Sequence, residues 1–457
     1  LYALLSVSVV LLPPGGITFL MGYVLLFVVV YWAFRSRVMP RYLAGAMLPF
    51  LVIVVTGLHG LVRYDTYDAL KDAWYMLYPA MALLAGFALM RGAGRIEGII
   101  VATLAASLIT ATIHLATFVA NPELLTLPAT TIRGLAGTGY YVTALGVALP
   151  LAGLAVQGLI PQPRRWLAAI TFVASTASLT LAFSRTLTLV VAVLLIALVL
   201  PVGLRRLHAL GAALIVFVVL AAAATLNAET ASRFRGENLI SKWTRTLEEL
   251  EIREYTSWAL IHKNWRGHES ARAIATYAAG SPVEHLFGLG FGKLVDLRLD
   301  INLSRSQKSR YIPILHNGYV YLLIKTGILG VAAYVWVLVF LAFVGVRYAR
   351  SEDPRVAALA RLLLALVAAF AATTVSISGL LNKRDLVPLA LFAGCLLGYF
   401  SMLGTARPSP ATRTAGAPLE PAIRPPQSDP PVPAGHRPGL PPSSLAPRTR
   451  GDSRMEG

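Results

Sequence analysis

Arg185 stands in Ala182-Phe183-Ser184-Arg185-Thr186-Leu187, between two apolar stretches with almost no loop to hold it. An arginine so near hydrocarbon is costly unless it snorkels or faces a cavity. It is therefore either a helix-end anchor or a fixed cation for a phosphate, a role suited to a planar, permanently charged fork of donors. A second constellation is Trp265-Arg266-Gly267-His268-Glu269, followed by Arg272. The spacing of three puts Arg266 with Glu269, and Glu269 with Arg272, on a shared helix face. That describes a solvated ion-pair strip, or an Arg266 that grips a phosphate while Glu269 holds its orientation. The run Phe287-Gly288-Leu289-Gly290-Phe291-Gly292 looks like part of a phosphate-cradling loop. It lacks the strand–loop–helix unit and the downstream acid of such loops, so a tight turn is the better reading. The strongest candidate is His316-Asn317-Gly318, with Pro313 upstream suited to a helix start. A histidine at a helix N-terminus feels the positive end of the dipole, which favours the neutral ring that a general base requires. The alternative is an interfacial histidine bonded to backbone.

The elements that must position these residues are mostly apolar. The 457 residues are 56% hydrophobic and 14% charged, with a mean hydropathy of +0.66. Soluble domains are nearer one-quarter charged. The apolar residues fall into blocks of about 17–25, the length that crosses a bilayer core. These blocks run over 1–12, 17–34, 43–62, 73–90, 96–119, 134–160, 167–183, 187–204, 209–225, 327–346, 356–378 and 387–403. The expected fold is an all-α polytopic membrane protein of about 12 transmembrane helices with one large, mainly helical periplasmic loop. The chain opens on apolar sequence at Leu1, without a basic n-region or cleavage site, and reads as a first span trimmed at its start rather than a signal peptide.

The net charge of +18 would raise nucleic acid as a partner in a soluble protein. Here the arginines sit in short loops, where they encode topology. Arg35, Arg37 and Arg41 form one such loop; Arg91 and Arg95, Arg164 and Arg165, Arg205 and Arg206, and Arg347, Arg350 and Arg355 form the others. They alternate with loops of mixed or little charge: Arg63–Asp72, Asn121–Arg133, Ser184–Thr186 and Asn382–Asp385. The positive-inside rule then places both termini in the cytoplasm and the mixed loops outside. No nucleic-acid partner is expected; membrane lipid is.

The domain reading follows: 1–225 as helices 1–9, 226–326 as the large periplasmic loop and returning helix with the histidine motif, 327–403 as helices 10–12, and 404–457 as a Pro-rich disordered cytoplasmic tail. The single cysteine, Cys395, permits no intramolecular disulfide. No cluster of Cys and His has metal-ligand spacing, so neither a metal nor another cofactor is expected.

From His316 the sequence reads His-Asn, nine residues to Thr326, then Gly327-Ile328-Leu329-Gly330. This resembles the signature of the bacterial O-antigen ligase family, within a superfamily that also holds O-antigen polymerases and protein O-oligosaccharyltransferases. The Ser184-Arg185 pair and an Arg266 ahead of a Gly-x-Gly turn are similar to the family's pattern, over about residues 1–403. The resemblance implies His316, Arg185 and Arg266 as catalytic residues, with Asn317, Glu269, Arg272, Ser184 and Gly318 as substrate-binding neighbours. It implies an undecaprenyl-diphosphate-linked O-antigen donor, a lipid A–core acceptor and inner-membrane residence. The expected chemistry is metal-independent, inverting transfer of a polysaccharide to a sugar hydroxyl at the periplasmic face. An O-antigen polymerase and a protein O-oligosaccharyltransferase remain open alternatives. A transporter is the alternative from another class, but the charged residues gather at one face and no inverted repeat is evident.

Overall fold

A computed structural model describes residues 1–11, 17–35, 41–127, 129–137, 139–199, 246–304, 307–381 and 386–405. Within them the chain is mostly α-helical, and six helices are long and apolar enough to cross a membrane. The candidate spans are Arg41–Arg63, Thr66–Ala93, Ile96–Ala120, Gly318–Ala349, Pro354–Ile377 and Val387–Gly404. The architecture is that of an α-helical membrane protein. Of the other expected blocks, 209–225 and the end of 187–204 lie outside the described residues, as do the start of the large loop, the loop expected at 382–385 and the expected tail beyond residue 405.

In chain order the helices are α1 (Tyr2–Leu11), α2 (Ile17–Arg35), α3 (Arg41–Gly57), α4 (Gly60–Arg63), α5 (Thr66–Ala93), α6 (Ile96–Ala120), α7 (Ala129–Ala136), α8 (Val142–Ala155), α9 (Arg165–Leu181) and α10 (Arg185–Val199). The block expected over 134–160 is not one helix. Gly137 and Gly139 take φ of 89° and 70°, which separates α7 from α8. The spans pack as a bundle in which α5, α3 and α6 are central among the first helices. Leu48, Leu51, Val52 and Val55 of α3 remain exposed, an apolar stripe of the kind lipid covers.

The large loop contributes α11 (Thr246–Leu250), α12 (Trp258–Lys263), α13 (Trp265–Ala278) and α14 (Pro282–Phe287), then an antiparallel hairpin of β1 (Val295–Ser304) and β2 (Gln307–Ile312). The hairpin is an addition to the helices expected of this loop, which remain the larger share of its described secondary structure. Its reason is in the alternation Val295-Asp296-Leu297-Arg298: Val295 and Leu297 are buried at 1% exposure, and the polar pair faces out. The last helices are α15 (Gly318–Ala349), α16 (Pro354–Ile377) and α17 (Val387–Thr405). The long pairs α5–α17, α15–α16 and α15–α3 form the main packing of this half.

Helix α15 starts at Gly318, not at Pro313. Its cap is Asn317, whose Oδ1 accepts from the N–H groups of Tyr319 at 3.1 Å and Val320 at 3.2 Å. The helix breaks at Gly327, which has φ 65° and ψ −166°. That break frees the carbonyls of Ile324 and Lys325 from the helix ladder. They accept instead from Leu289 N–H at 2.7 Å and Gly290 N–H at 3.2 Å. Phe291 N–H goes to Gly57 C=O at 2.9 Å, and Gly292 N–H to Asp72 Oδ2 at 2.7 Å. The glycine run is thus a tight turn wedged among α3, α5 and α15, as the turn reading expected. Its amide donors are already engaged by protein acceptors, so it offers no cradle for a phosphate.

Beneath this turn lies a buried polar knot. Asp72 Oδ1 accepts from Tyr321 Oη at 2.7 Å, and Oδ2 accepts from Lys325 Nζ at 2.5 Å. Lys325 Nζ also donates to Lys293 C=O at 2.5 Å. Asp72 and Lys325 are 0% and 1% exposed. Buried charges persist only when paired and hydrogen-bonded, and this pair ties α5 to α15 directly under the histidine-bearing end of the bundle.

Candidate functional site

The arginine of the first candidate motif sits on a strained turn. Between α9 and α10, Phe183 holds φ at 45°, unusual for a bulky residue. Its ring packs with Phe118, Leu124, Ile132 and Ala136, which over-determines the turn. Ser184 is buried; its carbonyl accepts from Thr188 N–H and from Thr188 Oγ1, each at 2.9 Å. Ser184 therefore shapes the first turn of α10, and Arg185 is delivered at that helix end.

Arg185 and Arg266 meet on one carboxylate. Arg185 Nη2 donates to Glu249 Oε2 at 2.7 Å, and Arg266 Nη1 lies 3.1 Å from Glu249 Oε1. All three side chains are largely shielded, at 16–19% exposure. Burial pushes the Arg266 pKa down, Glu249 pushes it back up, and Arg185 adds a further downward push. Glu249 reaches them from α11. Its strand of backbone comes close because residue 267 is glycine: a Cβ there would collide with the Glu251 carbonyl.

One turn along α13 from Arg266, Glu269 faces a different partner. Its carboxylate is 1% exposed. Oε2 is 2.8 Å from His316 Nδ1, and Oε1 accepts the His316 backbone N–H at 3.1 Å. Both oxygens are thus taken by His316, so Glu269 orients the imidazole rather than Arg266. With Glu269 ionised, Nδ1 carries the hydrogen and donates, which leaves Nε2 as the acceptor of a half-exposed ring. The carbonyl of His316 accepts from Ser378 N–H at 2.7 Å and Ser378 Oγ at 3.2 Å. Ser378 takes the left-handed conformation, φ 68°, at the end of α16. The ring is consequently held from α13 and its backbone from α16.

The remaining expected residues are structural in their visible contacts. Gly318 packs so closely on α16 that a Cβ would fall 2.9 Å from Ser378 Cα. Asn317 uses its carbonyl oxygen as the α15 cap. Arg272 donates from Nε to the Asp296 carbonyl at 3.1 Å and from Nη1 to Glu254 at 3.3 Å, bracing α13 against β1. The arginines and acids of α13 are therefore not a solvated strip; each has its own partner.

Three groups at this site carry no sequence motif: Glu249, Ser378 and Arg133 of α7. Arg133 sits in the field of the other cations. Burial lowers its pKa first, and the charges of Arg185 and Arg266 lower it further. Among the described residues, no group of three or more His, Cys, Asp or Glu side chains is placed to hold a metal ion. No family model matches the chain, and no curated protein matches it.

Proposed function

We propose that this protein is a membrane glycosyltransferase of the O-antigen ligase kind. It takes a polysaccharide from undecaprenyl diphosphate and transfers it to a sugar hydroxyl of lipid A–core at the periplasmic face of the inner membrane. The observation that carries the reading is a single juxtaposition. Two arginines from distant parts of the chain converge on one carboxylate, and a turn away a buried glutamate aligns a half-exposed histidine. A pair of arginines suits a diphosphate leaving group, and a Glu-oriented imidazole suits a general base.

In this reading His316 Nε2 takes the proton of the acceptor hydroxyl as its oxygen attacks the anomeric carbon. The bond from that carbon to the diphosphate oxygen breaks, and the configuration inverts. Arg185 and Arg266 balance the negative charge gathered on the departing diphosphate, the electrostatic contribution that is usually largest. The loops bearing these residues face the periplasm, and the arginine-rich short loops face the cytoplasm.

The test is transfer by purified protein in detergent, given lipid-linked polysaccharide and lipid A–core, with polymer-bearing lipopolysaccharide resolved on a gel. Product is expected with wild-type protein, with and without chelator. It is lost with Arg185→Ala and poorly restored by Arg185→Lys, which lacks the bidentate fork. Lipid-linked polymer elongated in place of lipid A–core modification would assign the chain to polymerase chemistry, and no transfer to either acceptor would overturn the reading.

A further inference from the structure

Arg185 and Arg266 share the Glu249 carboxylate, and Arg133 lies within the electrostatic field of all three. Arg133 is carried toward Arg185 by a physical link: Ile132, next to Arg133, and Phe183, two residues before Arg185, pack in one apolar cluster. The Nε of Arg133 is buried and has no hydrogen-bond partner. A buried donor left unsatisfied is rare and costly, and it marks a place where an acceptor belongs. Glu249 meanwhile bridges its two arginines with one oxygen each, the arrangement of a small anion in a two-cation clamp.

The segment that brings Glu249 is held by polar contacts, Glu248 to Lys263 and Glu254 to Arg272 and Arg298. Glu251, Ile252, Arg253 and Glu254 behind it are exposed, so shifting this strap uncovers little apolar surface. Its close approach depends on Gly267, which leaves room for the Glu251 carbonyl.

We propose that Arg133 is the third cation of this anion site and that Glu249 is its built-in occupant. A diphosphate binds by displacing the Glu249 carboxylate, and it supplies the additional oxygens that Arg133 lacks. The inference rests on the diphosphate reading above and adds a regulatory element to it. The strap closes the clamp when no donor is bound, its Glu249 carboxylate taking the place of a phosphate oxygen pair between Arg185 and Arg266. Binding of donor and release of the strap are one event.

The experiment measures equilibrium binding to the purified full-length chain in detergent, with inorganic pyrophosphate in one arm and undecaprenyl diphosphate in the other. Glu249→Gln keeps the shape of the strap and removes its charge. It is expected to bind both probes about tenfold more tightly, because the competing anion has gone. Arg133→Gln is expected to bind them about tenfold more weakly, the loss of one charge-assisted contact. Thermal unfolding verifies that both variants are folded, and the gain of affinity in Glu249→Gln cannot arise from misfolding. Wild-type affinity in either variant overturns the role given to that residue. If Arg185→Ala weakens binding and Glu249→Gln does not strengthen it, the strap idea fails and the diphosphate reading stands. If none of these variants alters binding of either probe, the diphosphate reading falls as well. Tightening confined to pyrophosphate would make a free phosphate compound the ligand and remove the lipid donor.

Discussion

Glu269 holds His316 at two points, the ring Nδ1 at 2.8 Å and the backbone N–H at 3.1 Å, from a carboxylate that is 1% exposed. Such a buried acid fixes both the direction of the ring and which nitrogen is free. Glu269→Gln keeps the size but offers one acceptor oxygen where two are used, and its amide NH₂ opposes whichever donor it faces. We predict a fall in transfer of about 10²–10⁴-fold, the scale of general-base catalysis, with donor affinity unchanged. His316→Gln falls by a similar factor, and the double variant is little worse than either single one, because the two residues act as a unit. Independent, multiplying losses in single-turnover rates would refute the pairing.

Gly327 makes a second prediction. Its φ of 65° with ψ of −166° lies in a region open essentially to glycine alone. A Cβ at this position would also run into the backbone of Leu286 and Gly288. Gly327→Ala would have to push out the glycine turn or straighten the helix and take back the Ile324 and Lys325 carbonyls. The expected cost is at least about 1–3 kcal/mol, seen as a lower Tm in detergent. Gly330→Ala is no substitute control, since Thr326 crowds that site; Gly98→Ala, in helix α6 with open space around it, is expected not to lower Tm.

How much of this was legible follows from what sequence encodes locally. Arg185 and His316 stand out because an ionisable group beside long apolar runs needs a reason to be there. The spans α5, α6, α15, α16 and α17 are legible for the same reason, from apolar length. The spacing of Arg266 and Glu269 gives their shared side of α13, but spacing cannot say what lies opposite. Arg266 meets Glu249 and Glu269 meets His316, and both partners come from other parts of the chain. Glu249 is one acid among several in a polar loop, and Arg133 one arginine at a loop end, so neither has a local signature. The hairpin was legible in the alternation from Val295 onward, which a helical reading of the loop passed over. The break at Gly327 was visible as a glycine, whereas its purpose depends on the Gly288–Gly292 turn folding back from outside the helix.

The Asp72–Lys325 pair predicts strong non-additivity. Asp72→Asn leaves the buried Lys325 ammonium facing an amide, and Lys325→Met leaves Asp72 with Tyr321 and the Gly292 N–H. Breaking a buried pair from one side costs about 3–5 kcal/mol. The double variant, with neither charge, is expected to regain a good part of that loss. Thermal unfolding of the four proteins in one detergent gives the coupling, and simple addition of the two single shifts would show that the charges do not support each other.

The last prediction concerns acid and the hairpin. Arg310 clamps Asp296, with Nε to Oδ1 at 2.6 Å and Nη2 to Oδ2 at 2.8 Å. The Arg298 N–H adds a bond to Oδ1 at 2.8 Å. The Arg310 clamp, more than any other contact, holds the Asp296 carboxyl at about 2, below its ordinary 3.8. A carboxyl depressed in the folded state contributes stability that is fully present above its unfolded pKa and is lost as pH falls through the folded one. The clamp is therefore intact above about pH 4 and fails as the pH drops from there toward about 2. Because Asp296 and Arg310 are both partly exposed, solvent screens the pair, and the effect belongs to the hairpin rather than to the whole fold. Hydrogen exchange of residues 295–298 and 310–312, corrected for intrinsic rate, is expected to show less protection at pH 2.5 than at pH 4.5. Asp296→Asn removes the titrating group, so its hairpin is expected to be equally loose at both values. Wild-type protection that is the same at the two pH values would mean that the register of β1 on β2, and not the Arg310 clamp, keeps the hairpin closed.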